Sequence, residues 1–394
     1  MPPGRTGRRS GASVLRPPAS FGRCERCPAP VIRRDVEGAR LCASCAAGQR
    51  TVEQASRAAL LADALVARGH DVELLSAPGS RSAAKVIALL DRRHPREIGA
   101  SVVEADHVGR AFEHVERSAL AGRPFDLVHD HSGWVALAMA DRLPVPVLHT
   151  VHGSFDENAS RFYSAHGDKA ALVCLSHAQA ATRPEGVRVA AVVPNPIDVD
   201  AWPTGVAKED YLLWVGRFTP EKGPHRAIRV ARRTGLPLVL AGPVQPGQER
   251  FFAEAIEPHV DGAQIRYIGE VGGRRKQELF AAARAFLMPI RWPEPFGMVM
   301  VEAMAAGTPV IAFEQGSAPE VVEHGRSGLL VGDEEAMADA VREVSRLDPD
   351  ECRASAREHF SPDRVAERYE HVYRDIATPM SPARLESGPE AKVR

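Results

Sequence analysis

Residues 291–312 read RWPEPFGMVMVEAMAAGTPVIA, and this stretch decides the fold because its punctuation marks two consecutive elements. Pro295 predicts the first turn of a helix, where its missing N–H costs no hydrogen bond. Gly307 fits the left-handed position just past the helix end, and the apolar run after it predicts a strand. Glu294 then lies in the loop before the helix, and Glu302 lies about two turns inside it.

The loop and the first helical turn have the chemistry of a ligand site. Amides at a helix N-terminus have no intrahelical partner and bind anions, and Gly297 allows close approach to the backbone. A carboxylate beside an anion site repels phosphate, so we expect Glu294 to accept from a hexose hydroxyl and Glu302 from a ribose hydroxyl. The residues expected to surround the anion are Phe296, Gly297, Met298 and Val299. The pattern predicts a sugar-nucleotide pocket.

These residues also carry a resemblance to a known family. Two glutamates separated by seven residues, with Pro-Phe-Gly and Gly-Thr-Pro-Val beside them, resemble the signature of family-4 glycosyltransferases. The resemblance implies a retaining enzyme of the GT-B fold, an α/β architecture with two Rossmann-like domains facing across a cleft. The alternative is a core-packed helix–strand unit whose glutamates are merely solvated.

Composition narrows the class of protein. The chain has 394 residues, enough for two domains with buried cores, and its 50 basic and 51 acidic residues give no global electrostatic reason to bind nucleic acid. No apolar run approaches the length of a membrane span, and residues 1–20 lack the apolar core of a secretory signal. We expect a cytoplasmic protein with at most peripheral membrane contact.

Residues 1–46 differ from the rest of the chain. They are rich in arginine and contain two Cys-x-x-Cys pairs, Cys24 with Cys27 and Cys42 with Cys45, separated by fourteen residues. This spacing is similar to a four-cysteine structural zinc ribbon. The alternative is an unstructured arginine-rich leader. Family-4 enzymes open with an apolar strand and a glycine-rich loop, and neither is recognisable here.

Strands alternating with helix-length segments predict two parallel sheets, each covered on both faces. The predicted parts are the extension 1–46, a first acceptor domain 47–198, a second nucleotide-sugar domain 199–360, a helix 361–376 that crosses back to the first domain, and a disordered tail 377–394. The first domain would lack its opening strand and glycine-rich loop.

The first strand of the second domain ends in GRFTPEKG, residues 216–223. Ligands of open α/β sheets bind at the carboxyl ends of strands, and a guanidinium near an ammonium in a turn bracketed by glycines suits a diphosphate. The resemblance assigns Arg217 and Lys222 to the diphosphate, with Gly216 beside them. A solvated basic turn is the alternative.

Polar residues also end strands of the first domain. His152 follows a strand and resembles the first-domain histidine that faces the donor sugar, so it joins Glu294, Arg217 and Lys222 as an expected catalytic residue. Smaller contributions are expected from Asp130 and His131, at the end of the preceding strand, and from Glu270 and Val271, beside the nucleobase. His129 is expected in the core, and Ser317 with Glu320 as a capping box.

The predicted reaction is metal-independent transfer of a sugar, with retention, from a nucleoside-diphosphate sugar to a hydroxyl of a glycan, lipid or small molecule. UDP is the favoured nucleotide, and GDP and ADP are the alternatives. No Asp-x-Asp motif is placed at a strand end. A GT-B epimerase remains open, as does a protein that binds nucleotide sugars with weak or no activity because its first-domain loop is lost. A phosphorylase would need a pyridoxal-phosphate lysine site that we do not identify.

Overall fold

The structure is a computed structural model that describes residues 33–34, 40–41, 49–92 and 101–377. The four predicted zinc ligands Cys24, Cys27, Cys42 and Cys45 lie outside the described residues, as does nearly all of the predicted tail. Two short strands, β1 (Arg33–Arg34) and β2 (Arg40–Leu41), form an antiparallel pair.

The first half of the described chain alternates short strands with helices. Its strands are β3 (Glu73–Ser76), β4 (Lys85–Ala88), β5 (Val128–Asp130), β6 (Val147–Thr150), β7 (Ala171–Cys174) and β8 (Ala191–Val192). Its helices are α1 (Gln49–Ala67), α2 (Ser101–Leu120), α3 (Trp134–Ala138), α4 (Glu157–His166) and α5 (His177–Ala181). Strands β5, β6, β7 and β8 form one parallel sheet in that order, and β3 and β4 form another.

The second half forms one six-stranded parallel sheet. Its strands are β9 (Leu212–Val215), β10 (Leu238–Ala241), β11 (Ile265–Tyr267), β12 (Ala285–Met288), β13 (Val310–Phe313) and β14 (Gly328–Val331), in the order β11-β10-β9-β12-β13-β14. Its helices are α6 (Pro224–Thr234), α7 (Glu249–Ala255), α8 (Gly273–Ala282), α9 (Met298–Ala305), α10 (Ala318–Val321), α11 (Glu334–Glu343) and α12 (Pro349–Phe360). The expected α/β class with parallel sheets in both halves is confirmed, and the predicted domain boundaries stay predictions.

Both faces of the six-stranded sheet are covered, which explains why its strands are almost purely apolar. Neighbouring residues of a strand point to opposite faces, and Leu212 and Leu213 accordingly enter two different apolar clusters while both are fully buried. Strand β9 lies in the middle of the sheet, between β10 and β12. The loops after β9 and β12 therefore lie side by side.

The sheet of the first half is interrupted. Within the described residues β3 pairs only with β4 and β5 pairs only with β6, and a cavity of about 1600 Å³ lies between β3 and β5. Residues of α1 and α2, such as Leu61, Leu65 and Phe112, line this cavity.

The last helix, α13 (Pro362–Ala377), returns to the first half of the chain. Tyr369 hydrogen-bonds to the hydroxyl of Thr150 over 3.0 Å, and Tyr373 hydrogen-bonds to His129 Nδ1 over 2.7 Å. At the surface, Arg68 of the first half forms a two-pronged ion pair with Glu370. His129 thus packs inside the first domain rather than at its open edge.

The predicted start of the helix in residues 291–312 is wrong. Helix α9 begins at Met298, so Pro295 lies outside it and Glu302 lies one turn inside it rather than two. The reason is Gly297, whose φ of 75° breaks the right-handed helical path before residue 298. Gly307, with φ of 67°, does follow the helix end.

Candidate active site

Glu294 lies in the loop that leaves β12 and enters α9. Its carbonyl oxygen accepts from the Ser317 N–H over 3.1 Å, and its own N–H donates to Trp292 O over 2.8 Å. The neighbouring Pro295 carbonyl accepts from the Ser176 hydroxyl over 2.6 Å, a contact that comes from the first half of the chain. The loop is therefore held from both halves of the molecule.

Lys222 meets Glu294 because the loops after β9 and β12 touch. The Arg291 N–H donates to the Glu221 carbonyl over 3.0 Å, and Gly223 comes so close that a Cβ there would lie 2.3 Å from Pro289 O. Lys222 Nζ then pairs with Glu294 Oε2, both side chains being largely buried. Two sequence-predicted residues separated by 72 positions are brought together.

The electrostatics place Arg217 beside this pair. Burial lowers the pKa of Lys222, the charge of Glu294 opposes that shift, and the charge of Arg217 adds to it. In the part of the chain that the structure describes, no carboxylate pairs with the Arg217 guanidinium. The site thus holds one neutralised and one unneutralised cation, which suits an incoming anion.

The start of α9 borders the same loop. Gly297 is the N-cap in the left-handed conformation, and a Cβ on it would lie 2.6 Å from Met300 Cε and 3.3 Å from Glu294 Cγ. The first-turn amides belong to Met298 and Val299, both expected beside the anion, whereas Phe296 is buried before the helix.

Glu302 is also buried, and Lys276 of α8 donates to its Oε1 over 2.8 Å. Glu270 and Val271 lie in the loop between β11 and α8, at the same sheet edge as Gly216. The Gly216 N–H donates to the Ala241 carbonyl over 3.0 Å, so its amide is occupied within the sheet. Sequence reasoning missed Lys276, which carries no motif.

The first half contributes a buried polar cluster around β5 and β6. Asp130 Oδ2 pairs with His149 Nδ1 over 2.6 Å, and Asp130 Oδ1 accepts from the Ser132 N–H and hydroxyl. His131 Nδ1 lies 3.0 Å from His152 Nε2. His131 and His152, which were expected at the site separately, are therefore in direct contact, with Asp130 next to His131 in the chain.

Asp130 carries a negative charge in this cluster. Burial alone would raise the pKa of Asp130, but hydrogen bonds from His149 and Ser132 outweigh it and the pKa is lowered. Burial lowers the pKa of His131 to about 4 and that of His152 well below its ordinary value. His152 is thus neutral near pH 7, and its Nδ1 has no hydrogen-bond partner among the described residues. A neutral imidazole can exchange a hydrogen bond with a sugar hydroxyl.

These pKa values predict an acid-sensitive fold. An unfolded histidine takes up a proton near pH 6.5, whereas folded His131 resists protonation down to about pH 4. In this window the unfolded state binds more protons, so the free energy of unfolding falls as pH falls, by up to about 1.4 kcal/mol per pH unit for each such histidine. Urea unfolding at several pH values between 7 and 4.5 gives the free energy of unfolding as a function of pH. That free energy should change less steeply with pH for His131→Gln than for the unmodified chain. Equal slopes would contradict the prediction.

Helix α5, which sequence reasoning missed, lies between the loop that holds Glu294 and the polar cluster that holds His152. Gln179 donates to the carbonyls of Val151 and Gly153, on both sides of His152. Three residues earlier, Ser176 caps the helix and holds Pro295, next to Glu294. The Ser-x-x-Gln spacing is a helix-start signal that could have drawn attention to this element.

The predicted capping box at Ser317 and Glu320 is wrong. Ser317 makes no side-chain cap, and the Glu320 carboxylate instead accepts from the N–H groups of His177 and Ala178, each over 2.7 Å. A contact between residues more than 140 positions apart replaces a local one. Glu320 therefore joins the second half to the start of α5.

The candidate residues form two groups rather than one. Arg217, Lys222 and Glu294 lie together, and Asp130, His131 and His152 lie together, but no hydrogen bond or ion pair within residues 101–377 joins the groups directly. Helix α5 connects them. No helix in the described ranges is long and apolar enough to cross a membrane, and no group of three potential ligands there forms a metal site.

Comparison with known proteins gives concordant matches. Residues 54–201 match the family described as Glycosyltransferase Family 4, and residues 199–359 match the family described as Glycosyl transferases group 1. A D-inositol 3-phosphate glycosyltransferase of Saccharomonospora viridis is 30% identical over 309 residues, covering 64% of this chain and 70% of the relative. A glycogen synthase of Mycobacterium tuberculosis is 31% identical over 253 residues, covering 56% of this chain and only 60% of the synthase.

A solved structure supports the same family assignment. AviGT4, a glycosyltransferase involved in avilamycin A biosynthesis, superposes with a TM-score of 0.61 at 28% identity, covering 82% of this chain and 89% of AviGT4. The similarity therefore extends over both halves of the described chain.

Proposed function

We propose that this chain, which belongs to the family-4 type of GT-B glycosyltransferases, moves a sugar from a nucleoside-diphosphate sugar to an acceptor hydroxyl with retention at the anomeric carbon. One observation carries the proposal. Lys222 and Glu294 pair at the carboxyl edge of the six-stranded sheet, with the unneutralised Arg217 beside them. An anion-binding cation and a hydroxyl-binding carboxylate are what a sugar diphosphate requires together.

Each group has a place in the proposed reaction. The bond between the anomeric carbon and the diphosphate oxygen breaks as the acceptor oxygen bonds to the same carbon from the same face, and the acceptor proton passes to the departing phosphate. Arg217, Lys222 and the first-turn amides of α9 stabilise the negative charge that develops there. Glu294 and the neutral His152 position the transferred sugar, and Glu302 accepts from the ribose.

The nucleotide is the first thing to test. We favour UDP, and a thermal-shift series with UDP, GDP and ADP should single out one of them. A ligand at a hundredfold excess over its Kd stabilises the folded state by about 2.7 kcal/mol. Nucleotide release from the matching donor sugar should then require an acceptor hydroxyl and persist in EDTA. Absence of any nucleotide shift and of any release would refute the proposal, and activity lost in EDTA would refute its metal-independent part.

A second candidate function is favoured by the interrupted first-half sheet. In this alternative the cavity of about 1600 Å³ between β3 and β5 leaves the acceptor side incomplete, and the chain binds nucleotide sugars with weak or no transfer. In that case a nucleotide raises the melting temperature, yet neither hydrolysis nor transfer is detected.

Zinc content by atomic absorption of the full chain tests the zinc ribbon separately. Release of nucleotide together with an epimerised sugar, without acceptor, would instead indicate an epimerase.

A further inference from the structure

Trp292 contacts both charged members of the proposed donor site. Its indole N–H donates to Glu294 Oε2 over 2.7 Å, and its ring face lies 4.5 Å from Lys222 Nζ. The side chains of Lys222 and Glu294 are only 13% and 12% exposed, so both contacts are shielded from water. Shielded cation–π contacts and charge-assisted hydrogen bonds are stronger than exposed ones.

The geometry leaves one carboxylate oxygen available. The Lys222 ammonium and the Trp292 N–H both donate to Oε2 of Glu294. Among the described residues, none donates to Oε1. A carboxylate gripped by one oxygen presents the other in a fixed direction, as a hydrogen bond to a sugar hydroxyl requires.

Binding of the nucleotide sugar affects the two groups that donate hydrogen bonds to Oε2 differently. In the proposed function Lys222 approaches a diphosphate, which weakens its hold on Glu294. A buried carboxylate that loses its cation is destabilised unless other donors remain. The Trp292 N–H belongs to a neutral side chain that the diphosphate does not attract as strongly, so it stays on Glu294.

We propose that Trp292 is a positioning residue for sugar transfer. Its indole N–H holds Glu294 Oε2 so that Oε1 faces the transferred sugar, and its ring face holds Lys222 until the diphosphate arrives. This inference rests on the proposed function.

Trp292→Phe is the direct test because it keeps an aromatic face for Lys222 and removes the N–H donor, together with part of the ring. We expect kcat for transfer to fall by about 10- to 100-fold, the loss typical of a hydrogen bond to a charged group. The Kd of UDP, which lacks the sugar, should change by less than about threefold because Glu294 contacts only the missing part. Trp202→Phe is the matched control, since that indole packs edge-on against Phe280, 5.9 Å away, in the core of the same domain. A wild-type kcat in Trp292→Phe, or an equal loss in both variants, would overturn the inference.

A second measurement observes Trp292 in a chain that retains it, so it does not depend on how well Trp292→Phe folds; other variants serve only to assign the signals. Fluorine NMR of the 5-fluorotryptophan-labelled protein should give four signals, one for each tryptophan. Phenylalanine variants of Trp134, Trp202 and Trp214 identify three signals and leave that of Trp292. UDP should move the Trp292 signal as Lys222 leaves its ring. A signal that does not move, although UDP raises the melting temperature, overturns the inference, whereas the absence of any UDP binding counts against the proposed function itself.

Discussion

Arg217→Ala is expected to lower kcat/KM for sugar transfer by about 10²–10³-fold, the cost of losing one donor to a developing negative charge. Lys222 is already paired with Glu294, whereas Arg217 has no carboxylate partner within the described ranges. A guanidinium that is not neutralised gains most when charge builds up on the leaving diphosphate. Steady-state kinetics with the donor identified by thermal shift would measure the loss.

Two further variants serve as controls for Arg217→Ala. Arg217→Lys keeps the charge but not the planar fork and should recover only part of the activity. Arg250→Ala removes a surface arginine of the same domain, 88% exposed and paired with Glu254, and should leave kcat/KM unchanged. Unaltered donor hydrolysis and transfer in Arg217→Ala would remove this residue from the site.

Gly316→Ala is expected to abolish most transfer without touching any charged group. Gly316 has φ of 57°, and a Cβ there would lie 2.6 Å from Glu294 N and 3.0 Å from Glu294 O. The clash involves backbone on both sides, so the Glu294 loop must shift. Displacement of a positioning group by about 1 Å can cost 10²-fold in rate. Initial rates measured well below the melting temperature would report the loss.

Gly325→Ala separates this displacement from simple backbone strain. Gly325 also has a left-handed backbone, with φ of 82°, but no atom lies within 4 Å of an added Cβ. Both variants carry the left-handed penalty of roughly 1–2 kcal/mol and should melt at lower temperatures. Only Gly316→Ala should lose turnover. Equal turnover in the two variants would show that Gly316 does not control Glu294.

The sequence predicts the second half of the molecule well because its signals are local. Short apolar runs such as the one around Leu213, buried on both faces of a sheet, can be recognised without any knowledge of their neighbours. The basic turn holding Arg217 and the loop holding Glu294 are also local signals, recognised from short motifs and their resemblance to a known family. Their assignment to a donor site stays a proposal.

What the sequence misses depends on distant partners. The Glu320 carboxylate was expected to cap its own helix, and it binds the start of α5 instead, because a long-range partner offered two amides at once. The contact between Ser176 and Pro295 spans 119 positions. The late start of α9 was locally visible in Gly297, yet Pro295 gave a competing helix-start signal.

The return of α13 to the first half has a consequence for biosynthesis. Val365 and Tyr369 share an apolar cluster with Leu148 and Val173, so the interior of the first half is closed by some of the last residues of the described chain. Domains generally fold one after another as they leave the ribosome. We therefore expect the first half to complete its interior only after residues up to 372 have been synthesised, when the six-stranded sheet of the second half is already complete in sequence.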